Sequence, residues 1–459
     1  MKKTFGLLIA AVCGTLTAAA GEPGKFQLNL HSKTNANYTF MFSYIGANGH
    51  VFEQIHGKEG QAPLPILRDL SKGSQIMFIH SKTFLVNTNE PLEVEMDVSQ
   101  MRNMRPHALY NDRKFQLPNR IDSIYFTCGE AKTRAEMDGL LKLADAWIAK
   151  EKKAAVLSAD ELETVAVFEG FCRMMAKRSM VRAHEEVTKT EGFSDWYFEG
   201  FDLTNPHFDR IGNAHLMSTI VSTWWFGRQA AEPGLEAEFM MVDLMRTAKS
   251  TVLRDEAARN WMYAETRYKH WNPTIKEVYP VLKNGVSTEA ARNYIDSLYN
   301  RYVVLDYGRP APNFAAKNEK FKTVHLSDYK GKMVVIDVWA HWCTYCIAKL
   351  PRFREIAEKY KGKDDIVFLT IAWHTPGFEK LWMELARNAG ITGPNNLTVI
   401  TRDDDKAAKA LFEDGYRITQ APRYIVIDKN GNFLNAALST ALDEKVEQEI
   451  EDFYNQQAQ

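Results

Sequence analysis

The sequence predicts a multidomain protein: an N-terminal β-sandwich-like domain, a central all-α domain and a C-terminal α/β domain whose mixed sheet is flanked by helices. Three observations support this prediction. Apolar residues alternate with period two in residues 21–130, recur every three or four positions in residues 131–303, and form strand patterns separated by helical ones in residues 304–459. A chain of 459 residues is long enough for two or three cores.

The first 20 residues carry the features of an export signal in the expected order. Lys2 and Lys3 form a positive segment, an apolar stretch follows, and residues 18–20 are small enough for cleavage. Cys13 raises the alternative of a lipid anchor, but Val12 stands before it where a small residue is expected. We therefore expect an exported protein of the periplasm or cell envelope, with release favoured over an anchor at Cys13.

In the β-rich domain, residues 21–130, apolar side chains alternate with smaller or polar ones. Such alternation between turn residues is typical of antiparallel strands with one solvated face. A scaffolding role is the expectation for this domain. The alternating residues are Tyr38, Phe40, Phe42, Tyr44, Leu92, Val94, Met96 and Val98.

The helical domain, residues 131–303, begins with one clear amphipathic stripe. Ser158 followed by Glu161 is a capping-box signature that opens the next helix. The aromatic residues of this domain are interpreted first as packing, with a ligand groove as the alternative. The stripe consists of Met137, Leu140, Leu141, Ala144, Trp147 and Ile148.

Four cysteines remain after the predicted signal: Cys128, Cys172, Cys343 and Cys346. An oxidising compartment would permit a structural Cys128–Cys172 disulfide. The alternative is that these two are buried free thiols that behave as small apolar residues.

The C-terminal domain, residues 304–459, follows a turn-rich link at residues 307–312. Strand patterns alternate there with helical ones, which predicts a mixed sheet with helices on both faces. The predicted strands are residues 333–338, 366–373, 397–401, 423–427 and 432–438.

Cys343 and Cys346 stand between the first of these strands and a helical segment. Cys343 should lie at the helix N-terminus, where unpaired N–H groups and the helix dipole favour thiolate over thiol. Cys346 follows one turn later, close enough for a disulfide. The arrangement suits dithiol–disulfide exchange. A zinc site with His341 and His374 is the alternative, but the strand-to-helix context favours redox chemistry.

The residues around the cysteine pair make the motif specific. Residues 339–346 read Trp-Ala-His-Trp-Cys-Thr-Tyr-Cys, residues 308–314 read Gly-Arg-Pro-Ala-Pro-Asn-Phe, and residues 421–431 read Ala-Pro-Arg-Tyr-Ile-Val-Ile-Asp-Lys-Asn-Gly. Together they resemble the exported bacterial thiol–disulfide reductases of the TlpA/ResA type, in the thioredoxin superfamily. The resemblance covers roughly the last third of the chain.

This resemblance implies catalytic roles for four residues. Cys343 is expected to attack a client disulfide, and the more buried Cys346 to release the reduced client. Pro422 stands where the family has a cis proline that faces the active-site disulfide. Asp337 matches the buried aspartate of the thioredoxins proper, and it could take the proton from Cys346; in the alternative, strand alternation turns it to solvent.

Four further residues are expected to contact the client: Trp342, Thr344, Tyr345 and Ala421. Two of them depart from the family pattern. Tyr345 stands where many relatives have proline, and Ala421 stands where many have threonine. The dipeptide between the cysteines tunes the reduction potential, so the direction of electron flow stays open, with reduction favoured.

The sequence thus predicts a thiol–disulfide oxidoreductase of the bacterial envelope. Its expected partners are client proteins with disulfides and an upstream electron donor such as a membrane thiol reductase; no cofactor beyond the cysteine pair is implied. A near balance of 57 basic and 58 acidic residues argues against nucleic acid as a partner. The alternative is an envelope binding or assembly protein whose N-terminal domains carry the function, with an accessory or sensing redox domain.

Overall fold

The computed structural model describes residues 25–32, 38–47, 49–57, 65–70, 73–80, 82–96, 106–267, 274–374, 376–400 and 415–457. The predicted signal at residues 1–20, with Cys13, lies outside them, as does Val98 of the second alternation. The chain divides into two compact units. The first is Met1–Glu236 with Thr247–Glu256, and the second is Ala237–Arg246 with Ala257–Gln459. The domain boundaries predicted at residues 130 and 303 remain predictions, and the helical region contributes to both units.

Two sheets form the β-rich part of the first unit. Strands β4, β1, β7 and β8 are neighbours in one sheet, and β3, β2, β5 and β6 in the other, where β9 also pairs with β5. The strands are β1 Lys25–Ser32, β2 Tyr38–Gly46, β3 Gly49–Gly57, β4 Ile66–Asp69, β5 Gln75–Ile79, β6 Lys82–Val86, β7 Leu92–Met96, β8 His107–Ala108 and β9 Ile211–Gly212.

Alternation decides which face of each sheet enters the core. Phe40 and Phe42 of β2 are buried in one cluster with Leu92 and Val94 of β7, although the two strands belong to different sheets. Glu93, between the two β7 residues, is only partly buried. The apolar faces of the two sheets therefore pack against each other, as in a sandwich.

The first unit contains six whole α-helices among its described residues, and the predicted capping box opens one of them. Ser158 accepts a hydrogen bond from the Glu161 N–H, and the Glu161 carboxylate accepts one from the Ser158 N–H, which confirms the predicted capping box. The helices are α1 Asp112–Phe115, α2 Leu117–Cys128, α3 Arg134–Ala155, α4 Ala159–Ala183, α5 Phe193–Phe198 and α6 Ala214–Ala231.

None of the helices within the described ranges is long and apolar enough to cross a membrane.

Cys128 and Cys172 are both free and buried. Cys172 Sγ lies 4.0 Å from an oxygen of Asp122 in α2. Cys128 lies six residues farther along that helix, about 9 Å at the α-helical rise. Since a disulfide needs Cα atoms within about 7 Å, this packing favours two free thiols.

The second unit contains a seven-stranded mixed sheet in the order β11-β10-β14-β13-β12-β15-β16. The pairs β12–β13 and β13–β14 are parallel, and the pairs β12–β15 and β15–β16 are antiparallel. The strands are β10 Ala315–Asn318, β11 Thr323–His325, β12 Met333–Trp339, β13 Ile366–His374, β14 Asn396–Ile400, β15 Arg423–Ile427 and β16 Phe433–Leu438.

Helices cover both faces of this sheet. The helices that follow α6 are α7 Ala237–Thr247, α8 Thr251–Arg267, α9 Ile275–Gly285, α10 Glu289–Tyr302, α11 Thr344–Glu358, α12 Glu379–Ala389 and α13 Glu444–Gln457. Val335 of β12 packs with Phe353 of α11, and Val334 packs on the other face with Tyr302 of α10. The layered arrangement of helices around a mixed sheet is thioredoxin-like.

Two helical glycines give a matched test of packing in the first unit. A Cβ atom at Gly170 in α4 would lie 2.1 Å from the carbonyl oxygen of Gly200, whereas nothing lies within 4 Å of one at Gly139 in α3. We expect Gly170→Ala to lower the free energy of unfolding by about 1–3 kcal/mol because the backbones must separate. Gly139→Ala should raise it by about 0.5–1 kcal/mol through helix propensity.

The measurement is urea unfolding followed by mass spectrometry of protease-released α3 and α4 peptides, which reports on the first unit alone. Equal effects of the two alanines would contradict the close approach at Gly170.

Candidate active site

The cysteine pair lies where the chain leaves the central strand β12 and begins α11. Cys343 is the N-cap residue, and its Sγ accepts a hydrogen bond from the Cys346 N–H at 3.1 Å. The two cysteines form a disulfide with their Cα atoms 5.3 Å apart. Cys343 is 8% exposed and Cys346 is 1% exposed. Cys343 is therefore the sulfur that lies nearer the surface.

The loop before β15 comes next to this disulfide. The Ala421–Pro422 peptide bond is cis. The carbonyl oxygen of Ala421 lies 3.7 Å from Cys343 Sγ. The structure thus brings Ala421 and Pro422 to the cysteine pair, although they are distant from it in the sequence. Their roles toward a client stay predictions.

Asp337 is buried within β12 rather than turned to solvent. Its side chain is 1% exposed, and neither carboxylate oxygen has a hydrogen-bond partner among the residues that the structure describes. Burial raises the pKa of this carboxyl well above its ordinary value. Asp337 shares the sheet face of Val335 and Trp339, which pack with residues of α11, so it lies under the helix that carries Cys346.

The residues expected to contact a client surround Cys343 at the surface. Trp342 is 57% exposed and Tyr345 is 47% exposed. Trp342 meets Trp373 edge-on with ring centroids 6.1 Å apart. Thr344 is also exposed, and Ala421 is partly exposed. Three of these residues stand within two positions of Cys343 in the sequence, and the fourth, Ala421, approaches its sulfur through the backbone carbonyl.

Tyr345 also connects α11 to the segment before α13. Its hydroxyl donates a hydrogen bond to the Thr440 carbonyl at 3.1 Å, and Lys349 Nζ donates one to the Ala441 carbonyl at 2.8 Å. Sequence reasoning gave Tyr345 a role toward the client but missed these contacts. Only the fold brings residues 440–441 to this helix.

Tyr424 is a second residue that sequence reasoning missed. It is the cross-strand partner of Asp337 in the antiparallel β12–β15 pair, and it is fully buried. Its ring stacks on Phe353 with centroids 6.0 Å apart. A polar residue inside the run 423–427 was the available signal, but its pairing depends on strand register.

His341, named in the zinc alternative, stacks on Phe378 with ring centroids 3.9 Å apart. Within the part of the chain that the structure describes, no group of three or more His, Cys, Asp or Glu side chains is placed to hold a metal ion.

Comparisons with known proteins match the same part of the chain. The AhpC/TSA family matches residues 307–434. A thiol–disulfide oxidoreductase ResA of Geobacillus kaustophilus is 31% identical over 156 residues, which are 34% of this chain and 82% of the relative. ResA of Geobacillus thermodenitrificans is 29% identical over 156 residues, with the same coverage.

Among solved structures, the thioredoxin domain of a thiol–disulfide oxidoreductase from Bacteroides vulgatus is 23% identical, with a TM-score of 0.28. The match covers 32% of this chain and 98% of that domain. Through its C-terminal third, the chain belongs to the family of ResA-type, thioredoxin-like thiol–disulfide oxidoreductases.

Proposed function

We propose that the Cys343–Cys346 pair exchanges disulfides with client proteins and that reduction of the client is the favoured direction. The observation that carries the proposal is the position of the pair. The two sulfurs are bonded at the N-terminus of α11, and the more exposed one borders a surface of aromatic side chains. A thiolate at that position is stabilised by the helix dipole and the unpaired N–H groups.

The exchange begins from the dithiol form. The Cys343 thiolate attacks one sulfur of a client disulfide, a Cys343–client disulfide forms, and the other client sulfur leaves as a thiolate. Cys346 then loses its proton and attacks Cys343. The Cys343–Cys346 bond forms, the second client sulfur leaves, and the client has gained two electrons. An upstream donor, which we propose to be a membrane thiol reductase, restores the dithiol.

Asp337 is the proposed base in the second step. Cys346 is almost fully buried, so water has little access to its thiol. Asp337 lies on the sheet face beneath α11, and burial raises the pKa of its carboxyl well above the ordinary value, which makes it a stronger base than an exposed aspartate. A carboxyl in this position can hold the proton of Cys346 during the attack.

The client is proposed to lie against Trp342, Thr344 and Tyr345 and to pair with the backbone at Ala421. Pro422 has no N–H group, so the residue before it can turn its backbone toward an extended client segment. Exposed aromatic rings near a reactive sulfur offer apolar contact area to a client chain.

The setting of the reaction is proposed from the sequence. An export signal at residues 1–20 would deliver the protein to the periplasm or cell envelope, where client disulfides form. The exchange needs no cofactor beyond the cysteine pair. The β-rich and helical regions before residue 304 are proposed to position the redox domain or to recognise clients.

Replacement of the second cysteine should trap the client. With Cys346→Ser, the mixed disulfide at Cys343 loses its intramolecular attacker, so we expect its lifetime to rise at least about 100-fold. The measurement is non-reducing electrophoresis and mass spectrometry after the reduced protein is mixed with a disulfide-bonded peptide.

Cys343→Ser is the matched control and should give no adduct. An adduct on Cys346 of equal yield in that variant would contradict the assignment of the nucleophile.

The buried carboxyl should leave a signature in stability. Because the folded-state pKa of Asp337 is raised, its protonated form fits the fold, and stability is lost as pH rises from the unfolded pKa toward the folded one. We expect Asp337→Asn to gain stability relative to the parent by about 1.4 kcal/mol per pH unit over that window, starting near pH 4.

The measurement is pulse proteolysis in urea on the disulfide form, with peptides of β12 followed by mass spectrometry. Asp364→Asn changes an exposed aspartate just before β13 and serves as the control. A pH-independent difference for Asp337→Asn would contradict an unpaired buried carboxyl.

A further inference from the structure

Tyr424 and Asp337 form an unusual pair across two central strands. They are register partners in the antiparallel β12–β15 ladder, so their Cβ atoms lie about 4.5–5.5 Å apart on the same sheet face. Asp337 is 1% exposed and Tyr424 is 0% exposed. In the described part of the chain, neither the two carboxylate oxygens nor the tyrosine hydroxyl has a hydrogen-bond partner.

Leaving buried polar atoms unpaired costs about 1–3 kcal/mol per group. The Asp337 carboxyl and the Tyr424 hydroxyl therefore differ from ordinary buried polar groups, which are hydrogen-bonded. In the disulfide form a neutral carboxyl needs no charge partner. A hydrogen-bond donor becomes important when Asp337 is ionised. In the proposed exchange, Asp337 must be a carboxylate before it can accept the proton of Cys346.

We propose that the Tyr424 hydroxyl donates a hydrogen bond to the Asp337 carboxylate while Cys346 is a thiol, and so positions that carboxylate to take the Cys346 proton. Tyr424 is thus a positioning residue that acts through Asp337. The proposal rests on the exchange function proposed above.

The electrostatics of Tyr424 agree with this placement. Its pKa is raised first by burial and then by the negative charges of Asp337 and Tyr345. Its hydroxyl therefore lies within electrostatic reach of both Asp337 and the start of α11. A phenol with a raised pKa keeps its proton at neutral pH and remains a hydrogen-bond donor.

The polar groups of β13, β14 and α12 nearest this layer have partners, whereas the Trp339 indole N–H, on the same face of β12, has none among the described residues. Thr370, the β13 register partner of Asp337, places its hydroxyl 3.1 Å from the Asn396 side-chain oxygen. That same oxygen accepts from the Trp382 indole of α12. Glu319 accepts from the Asn396 amide.

The polar and charged groups of α11 near this layer are Tyr345, Cys346, Lys349 and Arg352. Lys349 and Arg352 turn to the carbonyls of Ala441 and Leu442. Among the described residues that face Asp337 from the elements packed on it, Tyr424 is thus the donor whose hydroxyl has no other partner.

The proton transfer balances within the exchange reaction. The Cys346 thiol gives its proton to the Asp337 carboxylate, and the resulting thiolate attacks Cys343 in the mixed disulfide. The Cys343–Cys346 bond forms and the Cys343–client bond breaks. The client sulfur leaves as a thiolate that takes a proton from water, and the two electrons of the dithiol stay with the client.

The test is the rate of mixed-disulfide resolution as a function of pH in the full-length protein carrying Tyr424→Phe. Phenylalanine keeps the ring that stacks on Phe353 and removes only the hydroxyl. Loss of a hydrogen bond to a charged group should raise the pH midpoint of the rate by about one unit and slow resolution about tenfold at pH values below that midpoint. The rate should return to that of the parent at high pH.

Tyr454→Phe is the matched control, because the Tyr454 hydroxyl already has a partner: it donates a hydrogen bond to Asp365 at 2.9 Å. Its pH profile should equal that of the parent. Adding Tyr424→Phe to Asp337→Asn should cause no further slowing if the hydroxyl acts through Asp337. A ¹³C titration of the Asp337 carboxyl in the reduced protein should show the same upward shift in Tyr424→Phe.

Two outcomes would overturn the proposal: a parental profile in Tyr424→Phe, or slowing that is equal at every pH. Failure of the exchange function itself would look different, because the parent protein would then form no mixed disulfide at Cys343.

Discussion

The complete burial of β12 is the constraint on which the redox domain depends. All seven residues of this strand are buried. A strand covered on both faces must be apolar on both, and it needs neighbours on both sides to satisfy its backbone groups. Parallel β13 and antiparallel β15 supply those neighbours. The end of β12 is consequently fixed in space, and with it the point at which Cys343 begins the next helix.

The same constraint separates two environments around one disulfide. Cys343 lies toward exposed aromatic side chains, whereas Cys346 faces the interior of the domain. In the exchange that we propose, proton transfer at the buried sulfur relies on side chains of the sheet. Asp337 is the ionisable residue within β12, and burial of a carboxyl in that strand costs stability. An ionisable side chain among the apolar residues of a core is typical of functional sites.

Much of the C-terminal domain could be predicted because its strands are strong apolar runs. The strand predicted at residues 423–427 matches β15, and that predicted at residues 333–338 differs from β12 by one residue. Strands β10 and β11, at one end of the sheet order, were not predicted, since they are short and contain few large apolar residues. Their strand structure comes from pairing with neighbours rather than from local preference.

The site was predictable to the extent that it is local in sequence. Cys343 and Cys346 follow from spacing and context alone. The Asp337–Tyr424 pair does not, because register between distant strands depends on the whole sheet. The division of the helical region between two compact units could not be predicted from the sequence either. The period of the apolar residues shows that a helix has a buried face, but it does not show which core buries that face.

The contacts of Tyr345 and Lys349 with the carbonyls of Thr440 and Ala441 make the last helix part of the active-site architecture. Those carbonyls belong to the segment that enters α13, whose Val446 and Ile450 pack in the same cluster as Phe353 of α11. A minimal redox fragment of this protein must accordingly retain α13. A chain that ends after β16 would keep every cysteine but would lose the segment and helix that pack against α11.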